Sequence, residues 1–180
     1  MEESNRCYRQ INELSHLDEK SKWKRTIAKE TWSALLSEVV FLRVWHWELI
    51  PVLPRQQLLG QWRELCLIAR NLSERGTPNH ILVNPVKDYP LKHLDSYANL
   101  VYHEMRDRGY FTDWHNYSKY RGKQVLDCSL EKEALFPGWH NDRYYWQCYH
   151  NLQEKYDRGG MTDEEWRPIE VMTQYLYGDY

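Results

Sequence analysis

The clearest periodic pattern in the chain is Leu58, Trp62, Leu65, Cys66 and Ala69, which keep the i, i+4, i+7, i+8, i+11 spacing of one helical face. It predicts a helix over residues 56–72, ended near Gly76-Thr77-Pro78, with a polar stripe of Gln57, Gly60, Gln61 and Glu64. A short extended segment, Leu42-Arg43-Val44-Trp45-His46, leads into it through Pro51 and Pro54. Tyr97, Leu100, Val101 and Met105 predict a second helix over residues 95–108, with Asp95 or Ser96 as N-cap and Gly109 just past its end. The connection between the two, residues 79–94, holds Pro85 and Pro90 and reads as irregular, with a short extended piece at residues 80–83. A third helix is expected over residues 141–156, closed by Gly159-Gly160. A fourth starts at Thr162, where Thr162-Asp163-Glu164-Glu165 forms a capping box ahead of Trp166, Ile169, Met172 and Leu176. Residues 1–41 carry apolar positions such as Ile11, Leu14, Trp23, Ile27 and Trp32 among many charges, the pattern of one or two marginal helices. The fold class is all-α: a small compact helical domain with irregular loops, an N-terminal extension and a C-terminal helical appendage.

Length and charge refine this picture. A chain of 180 residues and 22.0 kDa can bury one core of ordinary size. Net charge is −2 overall, but residues 1–41 are neutral, residues 42–125 carry +4 and residues 126–180 carry −6. The basic segment is the one a nucleic acid would favour, since phosphate contacts rest on Lys and Arg. Cys7, Cys66, Cys128 and Cys148 stand too far apart for a zinc ribbon or a disulfide framework and read as reduced thiols. The most apolar stretch, residues 34–42, is too short to span a bilayer and contains Glu38. These features predict a cytoplasmic monomer organised as residues 1–41, 42–125 and 126–180. The eight histidines show no metal-ligand spacing, so neither a metal nor an organic cofactor is expected.

The run Leu42-Arg43-Val44-Trp45-His46, followed by Leu53-Pro54-Arg55-Gln56-Gln57-Leu58-Leu59-Gly60-Gln61-Trp62-Arg63-Glu64-Leu65, resembles the N-terminus of the pyrimidine-dimer DNA glycosylases of the endonuclease V type. The resemblance extends over about residues 42–123. It implies a DNA repair glycosylase with AP-lyase activity, acting through an imine on damaged double-stranded DNA. In that family the α-amine of the first residue is the nucleophile and a glutamate in the first helix is its acid/base partner. Carried over, Glu64 is the carboxylate and Arg63 beside it engages phosphate near the lesion. Arg43 matches the basic residue next to the nucleophile, and Gln56 and Gln57 fall at polar DNA contacts. Arg108-Gly109-Tyr110 matches the end of the next long helix. The segment Tyr117-Ser118-Lys119-Tyr120-Arg121-Gly122-Lys123 resembles the aromatic and basic loop that lies along DNA, which assigns Lys119, Tyr120, Arg121 and Lys123 to binding.

Physical chemistry favours an α-amine for this reaction, because its pKa of ~7.7–8.0 leaves more neutral amine at physiological pH than a lysine near ~10.4. A neighbouring carboxylate can stabilise the positive charge that develops at the sugar and move the protons. The lesion would be reached by local distortion and flipping of a nucleotide out of the stack. The nucleophile's position corresponds to Leu42 if Arg43 is held in register with the family arginine, or to Arg43 itself counted back from Glu64 without a gap. A start at codon 42 would give residue 42 a free amine, with Glu38-Val39-Val40 encoded by a ribosome-binding sequence. Two alternatives stand beside this reading. One is a DNA-binding relative that is inactive or uses Lys119 or Lys123. The other is a helical interaction protein whose acidic C-terminal region docks on a basic partner. Taken without the resemblance, an adjacent Arg-Glu pair is ordinarily a solvated surface pair. Gly60 inside a helix instead points to close approach of another backbone or a ligand.

Overall fold

The computed structural model describes residues 43–121 and 126–178. Among them there are helices and turns but no strand, so the all-α expectation holds. Four long helices carry the architecture: α1 (Arg55–Arg75), α2 (Leu91–Asp107), α4 (Asp142–Asp157) and α5 (Asp163–Tyr177), with the single turn α3 (His115–Ser118) between α2 and α4. Short 3₁₀ turns at Trp47–Val52, Asn84–Asp88, Lys119–Arg121 and Lys132–Ala134 fill the connections. The marginal helices expected in residues 1–41 lie outside the described residues.

α1 forms where its apolar periodicity places it. Leu58, Trp62, Leu65, Ile68 and Ala69 are buried, and the helix stops at Gly76, whose φ of 69° lets its N–H reach the Leu72 carbonyl. α2 buries Leu94, Tyr97, Ala98, Val101 and Met105 against α1 and the Trp47–Val52 turn. It starts four residues before the expected N-cap, directly after Pro90. The reason is tertiary: Asp95 does not cap but sits inside the helix, buried, accepting hydrogen bonds from Tyr117 Oη at 2.7 Å and Arg121 Nε at 2.7 Å. The extended piece expected at residues 80–83 is also corrected. His80 begins a turn in which Val83 and Asn84 donate to its carbonyl, and this turn places Val83 in the core.

Residues 43–46 run without helix, and Trp47–Val52 then turns as a 3₁₀ helix that the proline-bearing sequence did not announce. Its carbonyls at Ile50, Pro51 and Leu53 are collected by the Arg108 guanidinium, at 3.2, 2.6 and 2.6 Å respectively. Backbone acceptors left over by a short turn are thereby satisfied at the C-terminal end of α2.

α4 begins at Asn141, whose side chain accepts from the Tyr144 N–H. α5 begins with both hydrogen bonds of the expected Thr162/Glu165 capping box. The two pack through Tyr145, Cys148, Leu152, Trp166 and Ile169, and the Tyr145 hydroxyl meets Thr173 Oγ1 at 2.8 Å. The described residues cluster as one compact unit. A buried seam joins their two ends: Trp47 N–H donates to His140 Nδ1 at 3.3 Å, and His140 stacks on His46 at 5.2 Å between ring centres. Burial holds both imidazoles neutral, with His46 pushed down to about 4 and His140 well below its ordinary value.

Candidate active site

The polar stripe of α1 does not face solvent as a whole. Gln61 is fully buried, and its Oε1 accepts the Trp45 N–H at 2.8 Å. Tyr97 donates its hydroxyl proton to the Trp45 carbonyl at 2.7 Å and lies 3.2 Å from the same Gln61 oxygen. Tyr144, on α4, donates to the Val44 carbonyl at 2.6 Å. Residues 44 and 45 are thus held from three helices, and a strand-like piece of backbone is fixed in register along α1 without any sheet partner.

One helical turn beyond Gln61, this registration brings Glu64 to the start of the described chain. Arg43 N–H donates to Glu64 Oε2 at 3.3 Å. Burial pushes the Glu64 carboxyl up to about 7, against the opposing pull of that N–H and of the charges on Lys155, Arg43 and Arg63. The group therefore exchanges between acid and carboxylate near neutrality, as a residue that must both give and take a proton requires. The floor of the site is Trp45, nearly buried, with Arg43 Cζ at 5.3 Å and Lys155 Nζ at 5.5 Å from its ring centre.

Arg63 points to a neighbouring depression. With Trp62, Cys66, Arg70, Lys119 and Tyr120 it lines a cavity of about 290 Å³ whose rim is cationic and whose walls are aromatic. Lys119 Nζ lies 5.1 Å from the Tyr120 ring centre and 3.3 Å from Asn116 Oδ1. The structure therefore brings Glu64 and Arg43 together at one point and Arg63, Lys119 and Tyr120 at another, with Arg63 electrostatically in reach of both.

The other sequence candidates fall elsewhere. Gln56 is exposed at the start of α1, and Gln57 is half-buried with Oε1 unpartnered among the described residues. Arg121 is committed to Asp95 through Nε at 2.7 Å and Nη2 at 3.0 Å, its side chain only 8% exposed. Leu42 and Lys123 lie outside the described residues. Gly60 corrects one expectation: a methyl group placed there would meet nothing within 4 Å, so among the described residues no backbone approaches it. The residues missed by sequence reasoning are Tyr97, Tyr144 and Lys155, and nothing local to them announces a site that forms only through tertiary contacts.

The helical scaffold thus presents a carboxyl with a raised pKa beside a backbone N–H, next to a cationic and aromatic depression. Residues 42–116 match the family of pyrimidine dimer DNA glycosylases. That match covers the Arg43–Glu64 contact and supports a function of the pyrimidine dimer DNA glycosylase type; α4 and α5 lie beyond it. Neither a curated protein nor a solved structure gives a significant match to the chain. No described helix is long and apolar enough to cross a membrane.

Proposed function

We propose that the protein is a DNA glycosylase with AP-lyase activity, acting on pyrimidine dimers or related lesions through an imine, with Glu64 as the acid/base residue. The observation that carries this reading is the 3.3 Å contact between the nitrogen of residue 43 and a carboxyl whose pKa lies at about 7. The family's nucleophilic amine is expected at that nitrogen when counted back from Glu64 without a gap, or one residue earlier, at Leu42, when Arg43 is held in register with the family arginine. In its acid form Glu64 gives a proton to the departing base, and as carboxylate it takes the C2′ proton that elimination of the 3′ phosphate requires. Arg63 and Lys119 attract the backbone phosphates, Arg43 adds charge beside the sugar, Gln56 and Gln57 offer polar contacts, and Tyr120 offers a ring for an unstacked base. Arg121, held by Asp95, positions the segment that carries Lys119 and Tyr120.

The test is borohydride trapping on ultraviolet-damaged and abasic duplex DNA, with the full chain, the chain begun at position 42 as methionine, and Glu64→Gln of each. On ultraviolet-damaged duplex, where base departure draws on the Glu64 proton, a covalent adduct that Glu64→Gln abolishes, with duplex binding retained, is the expected result. No adduct from either chain removes the enzyme reading, and absence of duplex binding at low salt would favour a helical interaction protein instead.

A further inference from the structure

Imine formation needs a primary amine. In the full chain the nitrogen on Glu64 is the amide of Arg43, whose lone pair is delocalised into a peptide bond. Among the described residues, a candidate is brought by a helix outside the family match. Lys155 stands near the end of α4, and its amine lies 5.5 Å from the centre of the Trp45 ring that Arg43 also covers. One residue links this platform to the carboxyl, since Arg43 places its guanidinium over Trp45 and its N–H on Glu64. Lys155 is exposed, so a nucleotide can reach it.

We propose that in the full-length chain the side-chain amine of Lys155 is the nucleophile that attacks C1′ of the damaged or abasic nucleotide, with Glu64 moving the protons. This rests on the glycosylase reading above. The local electrostatics help: partial burial of the amine lowers the Lys155 pKa, Arg43 lowers it further, and Glu64 opposes them. On a damaged nucleotide, a bond forms from Nζ to C1′ as the bond from C1′ to the base breaks. The base leaves with the electron pair and takes a proton from the Glu64 carboxyl. The C1′–O4′ bond then opens, the nitrogen passes a proton to O4′, and an iminium remains. The Glu64 carboxylate removes a C2′ proton, the C3′–O bond breaks and the phosphate departs with its electrons. Water hydrolyses the imine and returns the free amine.

The experiment uses the full chain, ultraviolet-damaged duplex DNA, on which base departure needs the Glu64 proton, and borohydride, followed by proteolysis and mass mapping of the reduced adduct. The expected adduct lies on the peptide containing Lys155, disappears in Lys155→Arg, and disappears in Glu64→Gln, while both variants keep duplex binding. Lys155→Arg preserves the charge over Trp45, so loss of the adduct would report the loss of a nucleophile. An adduct on another amine that still depends on Glu64 would overturn the role of Lys155 while leaving the glycosylase reading in place. No adduct on any amine of the full chain would overturn Lys155, and if the chain begun at position 42 also formed none, the glycosylase reading would fall with it.

Discussion

Glu64 should weaken the fold at and above neutral pH, and Glu64→Gln measures by how much. Burial raises its carboxyl from the ordinary 4.5 to about 7. A shift of that size corresponds to roughly 3 kcal/mol at ~1.36 kcal/mol per pKa unit. The sign follows from the direction. Below 4.5 the carboxyl is protonated in both folded and unfolded chains and costs nothing; between 4.5 and 7 only the unfolded chain ionises, and stability falls; above 7 the loss is complete. Glutamine keeps an oxygen to accept the Arg43 N–H and cannot ionise. The variant should therefore match the parent near pH 4 and exceed it at pH 8.5, by on the order of 5–10 °C in melting temperature for a chain of this size. Thermal denaturation of both proteins across that range is the assay. A difference between the two that stays constant with pH would refute the claim that Glu64 is held against its own ionisation.

Four other substitutions separate structure from binding. Arg121→Ala leaves Asp95 and the Tyr117 hydroxyl buried without their cation, and should cost about 3–5 kcal/mol in urea denaturation. Arg63→Ala and Lys119→Ala should leave stability nearly unchanged, while each lowers the slope of log K against log salt for duplex DNA by roughly 0.9, read by fluorescence anisotropy. Gly60→Ala meets open space and should stabilise the helix by about 1 kcal/mol. If DNA lies along this face, the same change will weaken duplex binding, so a variant more stable and equally tight would show that the glycine serves no contact.

The long helices were legible because their signals are local. The spacing from Leu58 to Ala69, the stop at Gly76 and the Thr162/Glu165 box act within one or two turns, and each appears where the sequence puts it. The start of α2 was not legible, because Asp95 has the side chain of a cap and the surroundings of a buried ion pair, and its partner Arg121 lies 26 residues away. Gln61 misled in the same manner. A glutamine on a polar stripe reads as solvated, whereas here it replaces a missing strand partner for Trp45. Glu64 and Arg43 could be found through their resemblance to a family, but Lys155 could not, since only the docking of α4 carries it to Trp45.

The tie from the Tyr144 hydroxyl to the Val44 carbonyl spans 100 positions of the chain. A contact so distant in sequence forms late, after the loop-closure entropy between its ends has been overcome. During synthesis, Arg43 and Glu64 leave the ribosome long before the helix that fastens their segment. A nascent chain that has reached only Arg121 has the carboxyl, yet it lacks both the phenol that pins Val44 and the amine over Trp45. If Lys155 is the nucleophile proposed above, competence arrives only with the final third of the polypeptide, and a half-made chain would not yet be able to nick DNA while it is still being translated.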